Sequence, residues 1–235
     1  SAGNDVATLT DVTLTTTGEM LVTLGDGADQ FTQLRGSITV TKDLLLDAGA
    51  GDDTLLFGYG AVRATATTFQ LGAGADYLLM QDMTALAGAS TVLGSAGADT
   101  VDIIRLPGQS AGDSLLIDGG ADADTVNVLI FGSSTGAAAG INYNIRVFDT
   151  GTGSRSLDRL VIAGTEEADS FLSRAGSLTL LHGTPAQTLA DAPTRPDSYE
   201  RISYNGNIEA GVVVFAQGGN DLFIGDDADN QFDGG

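Results

Sequence analysis

Cysteine and tryptophan are absent from this 235-residue chain, and histidine and lysine each occur once. Without cysteine there is no disulfide framework and no thiolate metal site, and a single histidine leaves little for imidazole chemistry. Proline is scarce at 4 residues, three of them between 183 and 198. Positive charge is scarce too, with 10 Lys and Arg against 31 Asp and Glu. The resulting net charge of −21 repels phosphate backbones, which argues against nucleic acid as a partner. No apolar run approaches the ~20 residues of a membrane helix, so no membrane insertion is expected. The glycines follow no phosphate-loop spacing with the lone Lys42, which argues against nucleotide binding.

What the chain has in quantity is glycine, at 33 residues, and repetition. In one short phrase a glycine or acid and a small or polar residue precede an aspartate, with an apolar residue two positions later. It reads Gly27-Ala28-Asp29-Gln30-Phe31, Gly51-Asp52-Asp53-Thr54-Leu55, Gly74-Ala75-Asp76-Tyr77-Leu78, Gly97-Ala98-Asp99-Thr100-Val101 and Asp122-Ala123-Asp124-Thr125-Val126. A weaker copy opens the chain at Gly3-Asn4-Asp5. From Asp5 to Asp124 the steps between aspartates are 24, 24, 23, 23 and 25 residues. Later copies at Glu167-Ala168-Asp169 and Gly219-Asn220-Asp221 put the next clear repeat at Asp169, a step of 45.

Compact apolar runs such as Leu44-Leu45-Leu46 and Leu115-Leu116-Ile117 precede the aspartates and read as short buried strands. Two dozen residues holding two or three strands suit one turn of a solenoid, and a helical apolar period is sustained nowhere. The predicted fold class is all-β, a parallel β-helix (β-solenoid) of about 23–25 residues per coil over residues 1–215. Enlarged loops are expected near 131–158 and 183–198, and residues 216–235 continue the solenoid in a different repeat.

Parallel stacking sets equivalent residues of successive coils ~4.8 Å apart. Ionised aspartates at that spacing repel by roughly 1 kcal/mol per neighbour in water and ~3.5 kcal/mol at an effective dielectric of 20. A hard cation with oxygen ligands would relieve this, and so would backbone N–H groups of each aspartate's own turn. Asp52, Asp53, Asp122 and Asp124, where the carboxylates come in pairs, are the candidates for calcium among the long coils. Six residues after each aspartate a second column holds Asp11, Arg35, Tyr59, Asp82 and Arg105. It is expected to form ion pairs and a cation–π contact on the solvent face. The rival reading makes Tyr59, Asp82 and Arg105 a saccharide-cleaving patch, but aromatic residues are only 6% of the chain and offer few platforms for a sugar. His182, at the end of Leu178-Thr179-Leu180-Leu181, is expected to be structural.

The last twenty residues, from Ala216 to Gly235, resemble the haemolysin-type (RTX) calcium-binding nonapeptide. An aspartate and an apolar residue recur there every nine residues, as Asp221 and Asn230 and as Phe223 and Phe232. The resemblance implies Ca2+ held by an aspartate carboxylate and by backbone carbonyls of the glycine-rich turn. It points to Gly219, Asp221, Asp226, Asp227 and Asp229, with Asn230 standing where aspartate is usual. The longer coils resemble, more loosely, the repeats of large bacterial surface and secreted proteins.

The expected function is a non-catalytic structural or adhesive segment of a larger extracellular or cell-surface bacterial protein, calcium-stabilised at its C-terminal end. The alternative is a carbohydrate-active β-helix enzyme, a polysaccharide lyase or hydrolase. Expected partners are other segments of the same protein or identical subunits stacked end to end, with cell-surface polysaccharide as a further candidate.

Overall fold

Period-2 alternation of apolar and polar residues turns this chain into strands whose inner faces meet in one core. The computed structural model describes residues 2–106, 113–129, 144–151, 158–166, 168–174, 176–181, 199–205, 208, 211–225 and 231–234. It is a parallel β-solenoid, as the spacing predicts. One strand column runs through 6–10, 30–34, Thr54–Gly58, Tyr77–Gln81, Thr100–Ile104 and Thr125–Leu129, stacked residue for residue. It continues through Arg159–Ala163 and Val212–Phe215 to Gln231–Asp233. A second column stacks Met20–Asp26, Asp43–Ala50, 66–73, 89–96, Ser114–Ala121, Asn144–Phe148 and Tyr199–Tyr204. A shorter middle column joins 12–16, 37–39, 61–63 and 85–87.

The core sits inside these columns. Along most strands alternate side chains are buried, as in Tyr77–Gln81, where Leu78 and Met80 point in. Phe31, Phe57 and Phe69 pack as one aromatic group with ring centroids 5.6 and 5.0 Å apart. Each fully buried Phe, Leu, Ile, Val or Met side chain contributes about 2 kcal/mol of burial, and these types fill most of the inward positions of the stacked coils.

Three features depart from the sequence expectation. The next rung after Asp124 is Asp158, a step of 34, and not Asp169. Arg159-Leu160-Val161-Ile162 repeats the outward–inward alternation of Thr125-Val126-Asn127-Val128, and that alternation sets the register. The stretch 131–158, expected as an enlarged loop, contains the strand Asn144–Phe148, whose Ile145 and Val147 enter the core beside Leu115 and Ile117. Finally, the solenoid is interrupted by antiparallel pairing. Ser170–Arg174 folds back on Ser177–Leu181, which runs antiparallel to Tyr199–Tyr204. An alternating sequence such as Ser177-Leu178-Thr179-Leu180 satisfies either direction of pairing, so its pattern does not reveal which is used. His182 and residues 183–198 lie outside the described residues.

At its C-terminal end the coil shortens. Val214 pairs with Phe232, a step of 18 (232 − 214), where the coils up to Asp124 step by 23 to 25. Between them Leu222–Ile224 pairs with Ser170–Arg174. The rings of Phe223 and Phe232, nine residues apart, stack at 4.7 Å.

Candidate functional site: the turn columns

The repeated aspartates form one continuous ladder. Asp29 Oδ1 accepts the backbone N–H of Asp5 at 2.6 Å, and Asp53 accepts that of Asp29 at 2.7 Å. Asp76, Asp99, Asp124 and Asp158 accept from Asp53, Asp76, Asp99 and Asp124 at 2.7 to 2.9 Å. The expectation that each aspartate binds N–H groups of its own turn is therefore corrected. The donor belongs to the preceding coil, because parallel stacking brings the next coil's carboxylate against an amide that no strand partner satisfies. A second, separate step joins Asp221 to the N–H of Asp169 at 2.9 Å. Asp169 keeps the local pattern as well, accepting from Thr165 N–H at 2.6 Å.

These carboxyls are deeply buried. Asp29, Asp53, Asp76, Asp99 and Asp124 are between 1% and 4% exposed, and the second oxygen of each is buried without a hydrogen-bond partner. Next to Asp99 and Asp124 that oxygen occupies the space a Cβ would need at Gly94 and Gly119, so glycine there makes room for the carboxyl. Burial pushes Asp76 up to about 6, against the N–H it accepts, and the Asp53 and Asp52 charges add to the rise. Asp99 and Asp124 are pushed up to about 7 for the same reason, helped by Asp76 and Asp122 in one case and by Asp99, Asp158 and Asp149 in the other. Asp53 shifts in the same direction, again by burial first.

Two columns of glycine shape the turns around this ladder. Gly25, Gly49, Gly72 and Gly120 form one, with Ser95 (φ 83°) between the last two, and Gly27, Gly51, Gly74 and Gly97 the other, which Asp122 (φ 82°) continues; the glycines have φ between 101° and 143°. A Cβ at Gly49, Gly51, Gly72, Gly74 or Gly97 would overlap the carbonyl of the preceding coil, so glycine is sterically required. The third turn column behaves differently. Asp11, Arg35, Tyr59, Asp82 and Arg105 have φ between 48° and 57°, a left-handed conformation that L-residues adopt at some steric expense. Side chains are retained there in all five coils. Arg35 pairs with Asp11 through Nε–Oδ1 at 2.6 Å and Nη2–Oδ2 at 2.8 Å, and Arg105 pairs with Asp82. Tyr59 accepts a hydrogen bond from Gln81 at 3.1 Å and remains 52% exposed. The expected ion pairs are present, and Tyr59 is held through its hydroxyl by this hydrogen bond.

The candidate calcium residues fall into three groups. Asp53 and Asp124 turn into the ladder, as described. Asp52 accepts the N–H of Ala75 in the next coil at 2.9 Å, and Asp122 lies exposed in its turn with φ 82°. Gly219, with φ 119°, precedes Asp221, whose second oxygen is buried without a hydrogen-bond partner. Asp226, Asp227 and Asp229 lie outside the described residues. Among the described residues no three His, Cys, Asp or Glu side chains converge on a common point. A shallow groove passes Leu93, Asp118 and Thr150, and both oxygens of its one carboxylate accept from Thr150.

Sequence reasoning missed Asp158 as a ladder member. The step to it is irregular and no glycine precedes it by two; only the strand that follows marks the place. Comparison of the chain with protein-family models, with curated proteins and with solved structures finds no match.

Proposed function

We propose that this chain is a non-catalytic structural segment, a stiff extracellular or cell-surface rod whose C-terminal coil binds calcium. The observation that carries the rod reading is the ladder itself. One buried carboxyl ties each coil to the one before it from Asp5 to Asp158, so bending the stack means breaking buried hydrogen bonds in its interior. The outer corner adds ion pairs between coils and supports the same role.

Support for calcium comes from the shortened coil. Its step of 18 residues comprises two nine-residue halves, the period of the nonapeptide that the last twenty residues resemble. Asp221 supplies an oxygen with no hydrogen-bond partner beside a glycine turn, which is the kind of ligand a hard cation takes. Gly219 and Asp221, with Asp226, Asp227 and Asp229, would hold the ion. A ligand that binds only the folded chain stabilises it by about 2.7 kcal/mol at a hundredfold excess over Kd. Thermal unfolding followed with calcium and with chelator is the test, and a rise of about 5–10 °C with calcium is expected. Asp221→Ala should remove most of that rise and Asp11→Ala little of it. A melting temperature indifferent to calcium and chelator alike would end the calcium reading.

A further inference from the structure

Read from opposite ends, the corner column of the solenoid is its own inverse in charge. Asp11, Arg35, Tyr59, Asp82 and Arg105 stand one per coil, so their signs run minus, plus, neutral, minus, plus. Turned end over end about Tyr59 they run plus, minus, neutral, plus, minus, and every position then faces its opposite. We propose that this corner is a self-association surface on which two copies of the chain lie side by side and antiparallel, related by a two-fold axis between their Tyr59 rings. A two-fold contact must be self-complementary in this way.

Spacing and charge fit that arrangement, and three of its four charged side chains stand exposed. Successive residues of the column are separated by one strand spacing, ~4.8 Å, so the two copies stay in register over ~19 Å. Asp11 and Arg35 of one copy meet Arg105 and Asp82 of the other. Each side of the tyrosine pair then holds a cluster of four alternating charges, with the ion pairs already present left intact. The side chains of Asp11, Arg35 and Arg105 are 62%, 57% and 48% exposed; Asp82, at 14% and with its Oδ2 buried, faces Arg35 of the other copy by charge and not by a hydrogen bond.

The exposed Tyr59 ring gains little by staying in water in a left-handed conformation that glycine would hold without strain. Tyrosine and arginine are the residues that most often anchor protein contacts. Two arginines and two aspartates make the column neutral in a chain of net charge −21, so two copies can approach here while their acidic faces repel. A parallel alignment would set Asp on Asp and Arg on Arg, which selects against it. The rod reading stands whether or not this surface pairs.

The contact is narrow, so the dimer should be weak and concentration-dependent. Sedimentation velocity at about 0.15 M salt, where the Debye length is ~8 Å, should show reversible dimerisation that weakens toward about 1 M. Exchanging Asp11→Arg with Arg35→Asp keeps the pair within the chain but opposes like charges across the two-fold axis. That variant should melt within a few degrees of the parent and dimerise at least about tenfold more weakly. Adding Asp82→Arg with Arg105→Asp restores complementarity and should restore the dimer. A monomer at every concentration, a half-exchanged variant that associates like the parent, or a folded four-residue variant that stays monomeric would each overturn the proposal.

Discussion

At about pH 5, Asp99→Ala should lower the unfolding free energy by about 1–3 kcal/mol, whereas Asp99→Asn should cost far less. The difference rests on one atom. Asp99 Oδ1 accepts the N–H of Asp76, which is buried with its residue only 2% exposed, and alanine leaves that donor with nothing. Asparagine keeps a carbonyl oxygen in the same place. Alanine also leaves a void that Gly94, having no side chain, does nothing to fill. Denaturant titrations of the two variants and the parent at fixed ionic strength give the comparison. Equal losses for alanine and asparagine would show that the ladder bond contributes nothing and that packing alone is at stake. Near pH 8 the ranking should change, with asparagine above the parent, because the parent must then carry a charge in a site that raises its carboxyl to about 7.

The second large effect is the pH dependence of the parent chain. Asp76, Asp99 and Asp124 have folded values of about 6, 7 and 7 against an ordinary 3.8, so between these limits the folded chain holds protons that the unfolded chain has lost. The stability they contribute is fully present below about pH 4 and is lost as pH rises through about 6 to 7. Each excess proton tilts the balance by about 1.4 kcal/mol per pH unit. Asp11 works in the opposite sense, since its hydrogen bond to Arg35 holds it below the ordinary value, but it is exposed and its share is small. Melting temperature in calcium-free buffer should therefore fall from about pH 5 to about pH 8, the reverse of a chain whose carboxylates are stabilised by cations. A flat profile, or one that rises over that range, would mean that the ladder is ionised when folded.

Much of this architecture was legible because stacking imposes a period. The steps of 24, 24, 23, 23 and 25 placed Asp29, Asp53, Asp76, Asp99 and Asp124 in one column, and the column six residues on followed from the same count. What a period cannot carry is direction. The spacing says that Asp53 lies over Asp29, but only coordinates say that its carboxylate reaches back to the amide of Asp29 and not to its own turn. The irregular rung at Asp158 and the antiparallel strand Ser177–Leu181 escaped for a related reason. Once the step changes, period-2 alternation fits several partners and several directions equally well. The burial that shifts Asp76, Asp99 and Asp124 was also invisible, because Gly-Ala-Asp and Asp-Ala-Asp read as exposed turns until a coil is stacked on each side.

The third turn column has a practical use that does not depend on what nature does with it. Glycine is required at 49, 51, 72, 74 and 97 by the carbonyl of the neighbouring coil, yet aspartate, arginine and tyrosine have all been accepted at positions 11, 35, 59, 82 and 105. Side-chain identity at that corner is thus uncoupled from the core. A designer can rewrite it one coil at a time, as the graduations on a ruler marked every ~4.8 Å. Thiol chemistry suits the purpose, because the chain contains no cysteine of its own to compete. Spin labels or fluorophores attached through cysteines introduced at two of these positions would sit a whole number of strand spacings apart.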